Sequence, residues 1–487
     1  MVNINLENSR MTIGKNARIH SFTDNNDYDD KSQLYGVNVF KTSEQADEKA
    51  DINIGENAAI VVTGNNMGKI GGLKNSIAGT AALGDYSTIT VAQTSSEIYN
   101  PEDITADNIQ QGSGQYIAGY MGNQAEKTTF NNHISIHVWG NTDTANASAY
   151  GSDNAYGDLE TKDNLSVTVN TTGYTNSYGL STVGQDDAHR GNTVTGNNLT
   201  VNVTGDKTAY GIYNGYQKNG YSQTIVGNHS QLTVKGDTAA GISSSGSEGT
   251  VIMGDKAKVE TEGSRAAFGI LNQYGANTTF KGAAEITSHM GSDLGYAAYS
   301  MDEGSLIDIR GEGQKQITGN LMSRNDGTIL LTMDTGDSFL TGKSDTKVPS
   351  DSRVGTTNID MSNGALWNMT DSSTVTNLTN NSGATVDMTY NKNGTHTLTV
   401  GNFSGNDGIF LMQSDLASQE EGDKVNITSA AAGSSGLISV YDRSFVTGNR
   451  VMGVKHLLMV KDASKNATFS GKSLDTGGLW EITPTIQ

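Results

Sequence analysis

The chain has 487 residues, of which only 34% are hydrophobic, with 59 Gly, 3 Pro and no Cys. A chain this long with so little apolar material excludes one compact core and leaves either disorder or a fold that needs little apolar surface per residue. A net charge of −20 at pH 7 disfavours nucleic acid and anionic lipid as partners, because phosphate binding is driven by Lys and Arg releasing counterions.

Disorder is argued against by short runs rich in Ile, Val, Leu and Thr, which suit a pleated, half-buried strand. From the N-terminus one phrase keeps returning: an apolar residue, Gly, two polar residues, a small residue, a polar one and another apolar one. It runs Ile13-Gly14-Lys15-Asn16-Ala17-Arg18-Ile19 and then Ile54-Gly55-Glu56-Asn57-Ala58-Ala59-Ile60. Looser copies begin at Leu83-Gly84-Asp85, Val226-Gly227-Asn228 and Met253-Gly254-Asp255, with a shortened one at Thr195-Gly196-Asn197. A second marker follows the later copies: Tyr210-Gly211-Ile212, Ala240-Gly241-Ile242 and Phe268-Gly269-Ile270. Earlier versions centre on Gly36, Gly79, Gly119, Gly151 and Gly179. Self-similarity at about thirty residues signals a solenoid, and the marker glycine is expected where backbones of adjacent turns come close or where φ must be positive.

Residues 1–130 read as N-terminal rungs with longer loops, around Asp24 to Asp30 and Ser95 to Gln115, and loops are where binding is expected. Residues 131–300 read as regular rungs of about thirty residues. One rung runs Leu199 to Val203, then Ala209 to Tyr213, then Gln223 to Val226, giving three short strands with alternating apolar and polar residues. Such a unit cannot close its own core and must stack. Residues 301–400 read as tighter rungs, from Leu306-Ile307-Asp308-Ile309 through Thr397-Leu398-Thr399-Val400, interrupted by a polar loop from Ser344 to Thr357 that contains Pro349. Residues 401–487 read as a C-terminal β cap, with strands expected at Leu437 to Val440 and Leu457 to Val460. The expected fold class is therefore all-β, a three-sided β-solenoid closed by a capping region.

The C-terminal third carries a resemblance. Trp367-Asn368-Met369, Val375 to Leu378 and Ala384 to Met388 are followed by Phe403-Ser404-Gly405, Gly408-Ile409-Phe410, Asp415-Leu416, Gly422-Asp423-Lys424-Val425 and Gly477-Gly478-Leu479-Trp480. That order resembles the pertactin-like cap or autochaperone segment of type Va autotransporter passengers, with Asp415, Leu416, Gly422, Asp423, Gly477, Gly478 and Trp480 at the recurring positions. The resemblance covers residues 360–487 closely and the remainder only in architecture. It implies a right-handed parallel β-helix at the surface of a Gram-negative type bacterium, anchored by a membrane barrel beyond Gln487. It also implies an adhesin that grips a host-cell receptor, a glycan, another bacterium or a second copy of itself, as in aggregation and biofilm. The chain itself has no run of about twenty apolar residues, and Met1 leads straight into strand-like sequence with no signal peptide, as expected of a trimmed mature piece.

Catalysis is not expected. Asn141-Thr142-Asp143 and Asp186-Asp187 with His189 and Arg190 resemble fragments of a glycan hydrolase set, but its Gly-His-Gly and Arg-x-Lys elements are missing from the sequence, so corner turns are the simpler reading. His133 and His137 lie in one strand and make a poor zinc pair; no cofactor is expected. A polysaccharide-cleaving enzyme and a structural spacer remain the alternatives to an adhesin. The binding candidates are Tyr174, Tyr178, Tyr210, Tyr213, Tyr216 and Tyr221, because Tyr offers both an apolar face and a hydroxyl. The acidic run Asp24, Asp27, Asp29 and Asp30 is a further candidate, although its order matches no twelve-residue calcium loop and it reads first as solvated.

Overall fold

The computed structural model describes residues 4–40, 50–215, 220–392, 394–416, 422–444, 456–474 and 484–486, leaving the side chains of residues 25–27 outside that description. The chain divides into two compact units, Met1–Thr279 with Ser288–Gly295, and Phe280–Thr287 with Tyr296–Gln487. Each is a stack of strands paired in parallel from rung to rung, with one short antiparallel step in the first unit, where His289 and Met290 pair with Leu294 and Asp293.

In the first unit the turn expected at residues 199–226 is three strands, Thr200–Gly205, Thr208–Asn214 and Ser222–Val226. Every one pairs in parallel with the equivalent strand of the next rung: Val201 with Leu232, Ala209 with Ala239 and Thr224 with Val251. Because side chains alternate across a strand, in-register stacking sorts them into columns. Ile60, Ile89, Ile136, Val167, Val201, Leu232 and Val259 form one such inward column, and all are buried. Burial stabilises each by about 1.5–3 kcal/mol. The thin apolar columns, repeated rung after rung, are how a chain with little hydrophobic sequence acquires a core.

The recurring phrase is the corner between two strands. Its second polar residue adopts a left-handed backbone, with φ of 60° at Asn16, 56° at Asn57, 58° at Tyr86, 59° at Asn198, 58° at His229 and 56° at Lys256. Asn tolerates this region better than most residues. The corners also stack through side chains: Asp163 Oδ1 accepts from the Asn197 N–H at 2.7 Å, Asn197 Oδ1 from the Asn228 N–H at 2.9 Å, and Asn228 Oδ1 from the Asp255 N–H at 2.8 Å. A Cβ on Gly227 would lie 2.4 Å from the Gly196 carbonyl oxygen, so close stacking demands the glycine.

The marker glycines form a second column: Gly36, Gly72, Gly119, Gly151, Gly179, Gly211, Gly241 and Gly269. A Cβ on Gly151 would stand 2.1 Å from Val167 Cγ1 and 2.7 Å from the Gly179 oxygen, and the same approach recurs along the column. Close approach, not positive φ, is the cause. The expected member Gly79 is replaced by Gly72; Gly79 sits instead at a corner, where a Cβ would meet Asn75 Oδ1 at 2.3 Å.

Part of the interior is polar. Asn75, Asn154, Thr182, Asn214 and Asn272 are all fully buried and face Thr128, Thr193, Thr224 and Thr278. Asn154 Nδ2 donates to the Gly157 oxygen at 2.9 Å, the Asn192 oxygen at 2.7 Å and Thr193 Oγ1 at 3.1 Å. These amides satisfy corner carbonyls that would otherwise be buried without partners.

Two loop expectations are corrected. Residues 24–30 lie inside the strand Arg18–Phe40, whose register against Ala59–Ser76 shifts between Asp24 and Asp29 and again between Asp29 and Gln33. The extra residues are absorbed as bulges, which lengthen one strand without breaking the ladder. The segment from Ser95 to Gln115 does loop out and holds two short 3-10 turns, Pro101–Asp103 and Ala106–Asn108. It does not protrude freely, because Ile98 and Ile104 are buried against Val61 and Ala92, with Ile109 and Trp139 packed beside them.

The second unit has shorter turns. Ile317, Leu340, Trp367, Val386, Phe410 and Ile438 pair in sequence as one buried column, and Trp367 Nε1 donates to the Gly342 oxygen at 2.9 Å. Asn377 Nδ2 donates to Asn358 Oδ1 on the adjacent strand, 19 residues back, at 2.6 Å, whereas the stacked corner amides Asn198 and Asn164 in the first unit are 34 apart. The capping segment continues the parallel ladder, with Val425 paired to Val460 and Ser435 to Thr468. The strand expected at 457–460 is observed only as Val460–Asp462.

Candidate binding face

The marker strands of the first unit place a tyrosine just before the glycine on three successive rungs. Tyr150 pairs with Tyr178 and Tyr178 with Tyr210. The glycine interrupts simple alternation: Ser177 and Leu180 are buried while Tyr178 is half-buried on the outer face. In-register stacking brings the rings of Tyr150, Tyr178 and Tyr210 together, and Tyr116, which pairs with Ser148, reaches Tyr150 from two residues out of register. Tyr116 and Tyr150 have centroids 5.0 Å apart, Tyr150 and Tyr178 4.6 Å at 10°, and Tyr178 and Tyr210 5.0 Å at 8°. Tyr213 lies edge-on to Tyr178 and Tyr210, at 5.2 and 5.3 Å.

A carboxylate stands beside the rings. Asp153 Oδ2 accepts from the Tyr116 hydroxyl at 2.5 Å and Oδ1 from the Ser181 hydroxyl at 3.1 Å. Burial pushes the Asp153 carboxyl above its ordinary range, partly opposed by those two hydrogen bonds and by Lys69. Burial likewise raises the phenols of Tyr116, Tyr150 and Tyr178. Lys69 Nζ lies 5.7 Å from the Tyr116 ring centroid and Lys74 Nζ 4.7 Å from that of Tyr35. The face thus carries half-buried phenols stacked from rung to rung, with one hydrogen-bonded acid and two cations beside them.

Of the tyrosines expected to bind, Tyr178, Tyr210 and Tyr213 lie together on this face. Tyr174 does not: it is 1% exposed and its hydroxyl donates to Gln93 Oε1 at 2.9 Å, so it is a core residue. Its ring occupies the space beside Gly140, where a Cβ would come within 2.6 Å of Tyr174 Cε2. Tyr221 is separate, with the Arg190 guanidinium 5.4 Å over its ring. Tyr216 lies outside the described residues. Tyr116, Tyr150 and Asp153 were not expected; the rung register that aligns Tyr150 with Tyr178 was the available signal.

Asp24, Asp29 and Asp30 are exposed on the bulged strand, and Asp29 Oδ1 accepts from the Lys31 N–H at 3.0 Å; the side chain of Asp27 is not described. Asp186 Oδ1 accepts from the N–H groups of Ala188 and His189 and pairs with the His189 ring at 2.8 Å. Asp143 accepts from Ser113 Oγ at 3.0 Å. The Asp186 contacts lie within one turn, whereas Asp143 is held by a residue thirty positions away. His133 stacks on Tyr86 at 4.6 Å. Among the described residues no group of three or more His, Asp or Glu is arranged to hold a metal ion, and no helix is long and apolar enough to cross a membrane.

In the cap, Asp423 is fully buried and clamps two backbones: its Oδ1 accepts from the His396 N–H at 2.7 Å and its Oδ2 from the Gln413 N–H at 2.8 Å. Burial raises its carboxyl to about 6. Asp415 is also buried, the Leu416 N–H donates to Asp442 Oδ1 at 3.2 Å, and Gly422 bridges back to Ser414. Gly477, Gly478 and Trp480 lie outside the described residues.

The rung pairings define a parallel β-helix. No family model matches the chain, and no curated protein matches it. Among solved structures, the chain is similar to the crystal structure of the autotransporter UpaB from E. coli strain CFT073, with 15% identity over 97% of each chain and a TM-score of 0.42. A likeness this distant carries no residue correspondence, and the fold assignment rests on the strand registers themselves.

Proposed function

We propose that the chain is the passenger of a type Va autotransporter and acts as a non-catalytic adhesin at the bacterial surface. The observation that carries the adhesive reading is the outer face of the first unit, where Tyr150, Tyr178 and Tyr210 repeat in register and Tyr116, two residues out of register, stacks on Tyr150 and bonds Asp153. Repetition suits weak multivalent contact: each polar contact contributes about 1 kcal/mol, and several in register or many copies per cell supply avidity. The passenger assignment is supported by the capping segment, whose Gly422-Asp423 step has a structural task in tying His396 to Gln413. The partner in this reading is a host-cell receptor, a glycan, another bacterium or a second copy of the chain.

The test coats beads with the full chain and scores clumping, attachment to epithelial cells and binding to a glycan array in parallel. Adhesion is expected in at least one arm and is expected to fall in Tyr178→Ala and Tyr210→Ala. Inert beads in all arms would leave a spacer, and release of reducing sugar from acidic polysaccharides would make the chain an enzyme.

A further inference from the structure

The stacked rings have a property that adhesion does not use. Four phenols in line, with consecutive centroids 5.0, 4.6 and 5.0 Å apart, are close enough to share an electron vacancy. The first of them, Tyr116, hydrogen-bonds a carboxylate through its own O–H at 2.5 Å. The two observations are independent, one of ring packing and one of proton placement. The chain has no Cys, so no thiol competes as the more readily oxidised group.

We propose that Tyr116, Asp153 and the stacked Tyr150, Tyr178 and Tyr210 form a one-electron oxidation site, at which the Tyr116 phenol is oxidised as its proton passes to Asp153. The co-reactant is a one-electron oxidant of the peroxide-derived class. In the first step the oxidant gains one electron, the Tyr116 O–H bond breaks, its proton moves to Asp153 Oδ2 and a neutral phenoxyl radical remains. When Tyr150 passes an electron to that radical, the proton on Asp153 returns to Tyr116 and the phenol proton of Tyr150 leaves to solvent. The vacancy thereby moves along the stack. A second oxidising equivalent at an adjacent ring, with loss of that ring's phenol proton, gives two phenoxyls side by side. They join through a carbon–carbon bond ortho to the oxygens, and the two ring hydrogens shift back to oxygen. Each cross-link therefore costs the protein two electrons, taken by the oxidant, and two protons, released to water.

Burial supports the coupled route. It raises the phenols of Tyr116 and Tyr150, which closes the path through a free phenolate, and it raises Asp153, which makes that carboxylate a stronger proton acceptor. The product links neighbouring rungs covalently and staples the first unit along its axis. This inference does not depend on what the face binds.

The full chain is oxidised with photogenerated tris(bipyridyl)ruthenium(III), then digested and mapped by mass spectrometry. Expected are dityrosine fluorescence and intramolecular cross-linked peptides short of two hydrogens that join Tyr150 to Tyr178 or Tyr178 to Tyr210. Buried Tyr174, outside the stack, stays unmodified. Both Asp153→Asn and Tyr116→Phe should lower the stack cross-link several-fold with an unchanged circular dichroism spectrum, and Asp153→Glu should restore part of it. Wild-type mapping decides the matter even where a variant fails to fold. Cross-links confined to the exposed Tyr86, Tyr99 and Tyr390, with the stack peptides intact, would overturn the proposal, and so would a stack yield that neither variant changes.

Discussion

Gly179 and Val201 approach so closely that a Cβ on the glycine would lie 2.2 Å from Val201 Cγ1, with the Gly211 carbonyl oxygen 2.5 Å away on another side. Flexible side chains can yield to such a contact, but a stacked backbone cannot. Overpacking of this kind costs about 1–3 kcal/mol. Gly179→Ala is therefore expected to lower the denaturation midpoint of the first unit, and Val201→Ala in the same chain should recover only part of the loss, because the Gly211 oxygen remains. Gly14, whose Cβ would meet nothing within 4 Å, is the control, and Gly14→Ala should be near neutral.

Tyr174 and Tyr178, four residues apart, predict opposite outcomes. Tyr174→Phe leaves the fold filled but removes the bond to Gln93 Oε1, which still accepts from the Asn141 N–H at 3.1 Å. A loss of about 1 kcal/mol is expected, with bead adhesion unchanged. Tyr178→Ala removes a ring flanked on both sides, each stacked pair contributing about 0.5–1.5 kcal/mol, and adhesion should fall with it. Equal loss of adhesion in both variants would disconnect the face from binding.

These contrasts show where sequence reading succeeds and where it stops. Corners such as Ile54-Gly55-Glu56-Asn57 were legible because a left-handed residue and a crowded backbone each restrict the amino acid allowed. Two equivalent corners were not, at His133 with φ 58° and Asn164 with φ 64°, because Asn131 and Lys162 stand where the phrase has Gly. The acidic run at 24–30 looked like a loop because polar residues are shared by loops and by outward strand positions, and only the partner strand distinguishes them. Tyr174 and Tyr178 are chemically identical in sequence; the glycine that follows Tyr178 and the neighbouring rungs decide which one is buried. Lys315 was equally hidden: it is 0% exposed, and its ammonium donates to the carbonyl oxygens of Gly311 at 2.6 Å and Gly313 at 2.7 Å, acceptors that no side-chain pattern announces.

Asp423 makes the cap sensitive to pH. Its folded carboxyl titrates at about 6 against an ordinary 3.8, so the folded state holds a proton that the unfolded chain releases. Its contribution is most favourable below the unfolded value and is lost as pH rises through the folded one. Across the window from about 4 to about 6, the stability of Asp423→Asn relative to wild type should therefore improve as pH rises, by up to a few kcal/mol. Chemical denaturation read through buried Trp367 measures it. A difference that stays flat across that window would show that the two N–H donors, not burial, govern the carboxyl.

The loop at residues 346–355 in the second unit is held by an ion pair with very unequal exposure. The Asp351 side chain is 1% exposed and pairs with Arg324, which is 21% exposed and also donates to the Tyr299 hydroxyl at 3.0 Å. Asp351 Oδ2 accepts from the Val348 N–H at 2.9 Å as well, so a single carboxylate fastens the loop both to itself and to the neighbouring strand. Nearby, Arg353 pairs with Glu303 at 3.3 Å, with both side chains at least half exposed. Removing one partner of a buried pair costs about 3–5 kcal/mol because a charge is left stranded, whereas an exposed pair contributes about 0–1 kcal/mol. Asp351→Ala is thus expected to free the loop, so that trypsin cuts after Lys347 or Arg353 well before the rest of the chain. Glu303→Ala should leave the digestion rate close to wild type. Equal rates in the two variants would mean that the loop is held by its backbone bonds, such as the Gly355 N–H to the Thr346 oxygen at 2.7 Å, and not by the carboxylate.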